Sequence, residues 1–163
     1  MATTQRTTRA ASILVGAARV AAAVLWLHEA FVKFRAHFGS ADILLIVTGA
    51  ASNSRVPDYF RIFAQHLLRP AAAVAGILTP LTELVIGMAL ILGIFSLWAA
   101  VGSVILLATY WSSDQLITQD PIMLVLALTI IVGHAYARPW SVRDLLARAR
   151  PITASRRRAD DTP

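Results

Sequence analysis

Hydrophobic residues are concentrated in four stretches of the chain, separated by shorter polar segments. The stretches run from about Ser12 to Phe34, from Ala71 to Phe95, from Leu97 to about Ile117 and from Pro121 to Ala137. The first three reach the roughly 20 residues that an α-helix needs to cross a bilayer, and the fourth is close to the lower length limit. Backbone groups in hydrocarbon must find hydrogen-bond partners within their own segment, so each stretch is expected to be helical. The pattern predicts an all-α integral membrane protein, a four-transmembrane-helix bundle.

Residues with turn and capping preferences mark the helix boundaries. Asp120 can cap the fourth helix, and Pro121 suits its first helical position. The second and third stretches leave room only for a tight turn between them. Thr79-Pro80 predicts either a kink or a new start in the second helix, and a new start would move Glu83 toward the outer surface.

The segment between the first two stretches, about residues 35–69, is not a plain loop. Ile43 to Val47 is apolar but too short to cross a bilayer, so it is expected to be re-entrant or interfacial. Further apolar residues recur downstream at the spacing of an interfacial amphipathic helix: Phe60, Phe63, Ala64 and Leu67. The segment is predicted to form a cap over the outer end of the bundle.

The composition supports a single membrane domain with polar ends. The chain has 163 residues, 57% of them hydrophobic, and a mean hydropathy of +0.64, which is too apolar for an ordinary soluble domain. We divide it into a leader (1–11), the membrane domain (12–137) and a basic tail (138–163). The absence of cysteine removes paired-thiol chemistry, so redox work requires a bound cofactor or a partner subunit.

The net charge of +6 comes mainly from the arginines of the tail. Beside a membrane, such a tail is typical of a segment that sets the orientation of the helices and attracts anionic lipids. Nucleic acid is not expected as a partner. Four spans place both termini on the cytoplasmic side of the plasma (inner) membrane. The segment from Lys33 to Arg69 must then face outward, although it carries four arginines. A cleaved signal peptide is the alternative for the first stretch, but Arg19 interrupts its apolar region.

Arg19 and Glu83 are charged residues within hydrophobic stretches. Charged groups at such positions are candidates for functional sites by default. At a helical rise of about 1.5 Å per residue, the two side chains lie within their combined reach. We therefore expect an Arg19–Glu83 pair with a catalytic role; alternatively, the pair only fixes the register of the helices.

A second group of polar residues is expected near the outer face. Glu29 and Lys33 lie four residues apart on one helix and can pair. The remaining members are His28, Tyr110, Trp111 and Asp114. Together they offer aromatic surface, hydrogen-bond donors and a proton relay for a quinone headgroup, or else they form an interfacial aromatic belt with solvated ions. No metal or haem is expected, because His28 and His134 lie at opposite ends of the bundle.

The charged and apolar motifs together resemble the DoxX/DoxD family of small four-helix membrane proteins. The resemblance rests on Arg19, Leu25-Trp26 and Lys33, on the Glu83–Gly93 segment, and on Ala137-Arg138-Pro139-Trp140-Ser141-Val142. The family includes a subunit of thiosulfate:quinone oxidoreductase. By this resemblance, Arg19, Lys33 and Glu83 fall on the family's recurrent charged positions.

Two functions are consistent with these features. The first is a membrane subunit of a quinone-linked redox system that passes electrons from thiosulfate or another small reductant to quinone. The second is a non-enzymatic scaffold or small-solute carrier that recruits a soluble redox or stress-response partner through the basic tail. The partners to consider are membrane lipids, a soluble redox subunit and a second copy of the chain.

Overall fold

The computed structural model describes residues 2–136 of the chain. Regular structure within this range is entirely helical. The helices are α1 (Ala2–Arg35), α2 (Ser40–Ser52), α3 (Asp58–Phe63), α4 (Ala72–Leu92), α5 (Ser96–Ser112) and α6 (Asp120–Val132). A π-helical turn, Ala64–Leu68, follows α3, and a short 3-10 helix, His134–Tyr136, follows α6. The predicted basic tail and the Ala137–Val142 motif lie outside the described residues.

Two of these helices are long and apolar enough to cross a membrane, namely Thr8–Arg35 within α1 and Ala72–Leu92. Helices α5 and α6 are apolar but shorter, with 17 and 13 residues. The predicted all-helical fold is therefore confirmed, with two candidate membrane-spanning helices. The four-span arrangement stays a prediction.

Several helix boundaries differ from the predicted ones. Helix α1 begins at Ala2, within the predicted leader. A new start at Pro80 is wrong, because α4 continues through this residue. Helix α5 ends at Ser112, before Ile117, and the hydroxyls of Ser112 and Ser113 bond to carbonyl groups of the preceding turn.

The start of α6 lies where the sequence predicts it, but Asp120 does not cap it in the expected way. Its Oδ2 accepts a hydrogen bond from the backbone N–H of Ile117, at 3.0 Å, and not from an amide within the helix. The carboxylate therefore closes the turn that leads into α6. Pro121 occupies the first turn of the helix, as predicted.

Helices α1, α4, α5 and α6 form a bundle in which α1 and α5 each pack against both α4 and α6. The largest apolar side chains that are fully buried in its core are Trp26, Leu90, Met123 and Ile130. Trp26 donates its indole N–H to Ser103 Oγ at 2.7 Å, which satisfies the one polar atom of this side chain.

Close backbone approaches show how α1 and α4 are aligned. A Cβ on Gly87 would lie 2.8 Å from Leu27 Cγ, and one on Gly76 would lie 2.4 Å from the carbonyl carbon of Gly39. Residue numbers thus rise along α1 as they fall along α4, so the two helices are antiparallel. Helix α4 also extends past the end of α1, to the level of Gly39.

The predicted cap consists of α2, α3 and the π-helical turn. The apolar run Ile43–Val47 belongs to the longer helix α2, which packs against α4. The cap has its own small core of Val47, Ala50, Val56, Phe60 and Ala64. We call the end of the bundle beside the cap the cap end. At the opposite end, a Cβ on Gly133 would lie 2.2 Å from Val15 Cγ2.

Candidate functional site

Glu83 is a completely buried carboxylate, with 0% of its surface exposed. Its Oε1 accepts hydrogen bonds from Lys33 Nζ at 2.7 Å and from the Tyr110 hydroxyl at 2.5 Å. The three residues come from α4, α1 and α5 respectively. A buried carboxylate is tolerated only with partners of this kind, so they form one interdependent unit.

Lys33 extends this unit toward the start of α6. Its Nζ also contacts Glu29 Oε2 at 3.0 Å, which confirms the expected pairing of these two residues. Glu29 Oε1 in turn accepts a hydrogen bond from Gln119, which directly precedes α6. We call Glu29, Lys33, Glu83, Tyr110 and Gln119 the polar cluster. It links α1, α4 and α5 to the beginning of α6.

A cavity of about 290 Å³ lies between the polar cluster and the cap. We call it the cap cavity. Its polar wall includes Glu29, Lys33, Thr79, Tyr110 and Asp120. Its apolar wall, contributed by the α1–α2 connection and the cap, includes Phe38, Ile43, Ile46, Phe60, Phe63 and Leu68.

The cap cavity combines hydrogen-bond donors with aromatic surface. A lysine ammonium has three N–H donors, and Lys33 gives one each to Glu29 and Glu83, so a third is left for a ligand. The side chains of Lys33 and Glu29 are 17% and 13% exposed. They connect the buried Glu83 to solvent, so the cluster can hold a carbonyl-bearing ligand and exchange protons with water.

The predicted ion pair between Arg19 and Glu83 is wrong, because Glu83 pairs with Lys33. Arg19 lies about four turns before Lys33 on α1, or roughly 21 Å along the helix axis. It is buried, with 4% of its surface exposed, one turn from Val15 at the opposite end of the bundle. The prediction assumed that α1 and α4 end at the same level. Because α4 extends past α1 at the cap end, Glu83 lies level with Lys33.

The other predicted site residues are divided among different surroundings. Tyr110 joins Glu29 and Lys33 at the cap cavity, as expected. Its neighbour Trp111 is 72% exposed and points to the other side of α5. His28 is exposed on α1 and does not line the cap cavity.

Asp114 connects α5 to the cap. Its Oδ2 accepts from Asn53 Nδ2 and from Arg55 Nη2, both at 2.7 Å. Nearby, the Tyr59 hydroxyl and Ser112 Oγ are 2.7 Å apart. We call these contacts the latch. Asp114 therefore holds the cap in place and is not part of the cavity wall.

The sequence did not identify several residues as part of the site: Gln119, Asp120, Phe38 of the α1–α2 connection, and the cap residues Phe60 and Phe63. Gln119 and Asp120 adjoin the predicted start of the fourth helix, and this is the local signal for their position at the end of the bundle. Which cap residues meet the cavity depends on how the cap folds over the bundle, and nothing in their spacing indicates this. In the range 2–136, no three histidine, aspartate or glutamate side chains are grouped as metal ligands.

Comparisons with known protein families, with curated proteins and with solved structures find no match for this chain.

Proposed function

We propose that this protein is a membrane subunit of a quinone-linked redox system of the DoxX/DoxD type and that the cap cavity binds the quinone headgroup. The observation that carries this proposal is the buried unit of Glu83, Lys33 and Tyr110 beside a cavity with an aromatic wall. Buried ionisable groups of this kind in membrane helices are typical of ligand sites and proton routes.

We infer further that all four bundle helices lie in the membrane. Large aliphatic side chains are exposed on the outward faces of α4, α5 and α6, among them Ile77, Val85, Ile105, Val125 and Val132. The interior instead contains the charged residues Arg19, Glu83 and Asp120. This distribution favours hydrocarbon as the surrounding medium. Helix α6 is about 20 Å long, so the bilayer must thin locally beside it.

The chemistry of the cap cavity fits a quinone ring. The ring is flat and apolar with a carbonyl oxygen on each side, so it requires apolar surface and hydrogen-bond donors together. Phe60 and Phe63 supply the apolar surface. The third N–H of Lys33 can donate to one carbonyl oxygen. The volume of about 290 Å³ is near the lower limit for ligand cavities and suits a single ring without its tail.

Reduction of a quinone to a quinol consumes two electrons and two protons. The electrons come from thiosulfate or another small reductant, directly or through a soluble partner subunit. In this proposal the polar cluster supplies the protons to the two carbonyl oxygens. Glu29, which keeps contact with solvent, replaces them from water.

The test is quinone binding by the purified protein. Lipid extraction should find quinone that copurifies with the wild-type chain. A quinone without a tail should bind Lys33→Met at least tenfold more weakly than wild type, because this change removes the donor to the carbonyl oxygen. Tyr110→Phe should weaken binding similarly, because it removes the hydroxyl that holds Glu83, the counter-ion of Lys33. Tyr136→Phe is the matched control, since Tyr136 lies at the opposite end of the bundle and should bind as wild type does.

A wild-type protein that neither copurifies with quinone nor binds it would contradict the proposal. The non-enzymatic scaffold would then be favoured if a chain shortened by Ile152–Pro163 loses a soluble partner that the full chain retains at low salt. Circular dichroism of every variant shows whether the bundle is still folded.

A further inference from the structure

A second cavity, of about 370 Å³, lies between α5 and α6. Its walls are almost entirely apolar and include Val104, Leu107, Ala108, Trp111, Leu116 and Leu124. Trp111 and Ala108 are exposed, so the second cavity opens at the outer surface of the bundle. In the membrane arrangement proposed above, that surface faces lipid.

The two cavities adjoin at Asp120, which lines both of them. Among residues 2–136, it is the one charged side chain on the wall of the second cavity. Its carboxylate is fixed by the N–H of Ile117 at 3.0 Å. A ligand that reached from the cap cavity into the second cavity would therefore pass Asp120 and move from polar and aromatic walls to almost entirely apolar ones.

We propose that the second cavity holds the hydrocarbon tail of the ligand whose ring lies in the cap cavity. The substrate class is then a lipid quinone with a long apolar tail, and not a soluble ring compound. This inference rests on the proposed function, because it assumes a ring in the cap cavity. It also gives Trp111 a role at the tail, whereas Tyr110 faces the ring.

The volumes and surfaces of the two cavities support this division. The cap cavity is large enough for one ring, and its lining contains charged groups that an aliphatic tail would desolvate at a cost. The second cavity offers aliphatic walls and an exit toward the surface of the bundle. An amphiphile of this shape satisfies both cavities, and its tail can enter from the lipid side between α5 and α6.

The experiment compares two quinones with the same ring, one without a tail and one with a decyl chain, on protein in lipid nanodiscs. Ala108→Phe fills the second cavity from α5, and Leu124→Phe fills it from α6 without adding a tryptophan to the fluorescence signal. Ala73→Phe is the matched control, because Ala73 is exposed on α4 and lines neither cavity. Quenching of tryptophan fluorescence reports binding. The quinone also partitions into the nanodisc lipid, but this partition is the same for all variants and does not affect their comparison.

We expect both filling variants to bind the decyl quinone about tenfold more weakly than wild type and Ala73→Phe to bind it normally. The quinone without a tail should bind all of these proteins equally. Unchanged decyl-quinone affinity in a folded filling variant would overturn the inference and leave the proposed function intact. Equal weakening for both quinones would also overturn it. A wild-type protein that binds neither quinone would overturn the proposed function as well.

Discussion

Lys33 holds the polar cluster together, because its ammonium contacts carboxylates on two helices. Glu29 is one turn away on α1, whereas Glu83 belongs to α4. The carboxylate of Glu83 has no exposed surface, so water cannot replace a lost partner there. The pair therefore affects both the stability of the bundle and the chemistry of the cap cavity.

We predict strong coupling between Lys33 and Glu83 in a double-mutant cycle. Lys33→Met alone leaves a buried carboxylate without its counter-ion, which should cost about 3–5 kcal/mol of unfolding free energy. Lys33→Met combined with Glu83→Gln should cost much less than the sum of the single changes. Reversible unfolding in detergent measures these values.

The control for this cycle is Asp58→Asn, which breaks the exposed Asp58–Arg61 pair and should change stability little. Additive losses for Lys33 and Glu83 would contradict the coupling.

At the level of secondary structure elements, close packing of α2 on α4 requires a glycine at position 76 but not at position 49. Gly76 on α4 approaches the backbone of Gly39 and Ser40, and an added Cβ would lie 2.4 Å from the Gly39 carbonyl carbon. Gly49 on α2 has no such neighbour within 4 Å. Alanine at position 76 therefore tests close packing, and alanine at position 49 tests helix propensity alone.

Gly76→Ala should destabilise the protein by roughly 1–3 kcal/mol, because backbone atoms cannot move away as a flexible side chain does. Gly49→Ala should instead raise stability by up to about 1 kcal/mol, since alanine favours the helix. Thermal unfolding of both variants checks the opposite signs. A stabilising Gly76→Ala would show that α2 does not pack closely on α4.

The latch connects the cap to the end of α5 through Asp114. Asp114→Asn keeps a residue that tolerates the left-handed backbone at this position, φ 57°, but weakens the contact with Arg55. We expect amide hydrogen exchange in residues 52–63 to accelerate about two- to fivefold, with α1 and α4 unchanged. Arg55→Met should give the same result from the other partner. No change in either variant would mean that the latch contributes nothing to the closure of the cap.

For the whole molecule, the topology can be tested by finding on which side of the membrane the termini and the cap lie. With four spans, both termini face the cytoplasm and the cap faces outward. Reporter fusions at the C-terminus and within Ser52–Arg55 should therefore report opposite sides of the membrane. Reporters that face the same side would rule out the four-span arrangement, whatever the function of the cap cavity.

The sequence alone determined that the chain is helical, where α6 starts and which residues pair within α1. Helical stretches follow from apolar composition and periodicity, and the start of α6 follows from Pro121. The pairing of Glu29 with Lys33 follows from their spacing of one turn on the same helix. These features depend on residues close together in the chain, so local physical chemistry is sufficient to predict them.

Only the tertiary structure decided which helices meet at which level. The partner of Glu83 is Lys33 and not Arg19, because α4 extends past α1 by an amount that no local pattern encodes. Tyr110 and Trp111 are adjacent in the sequence but point about 100° apart around α5, so they line different cavities. The cap cavity itself exists only where the cap folds onto the bundle, and that placement depends on contacts between residues far apart in the chain.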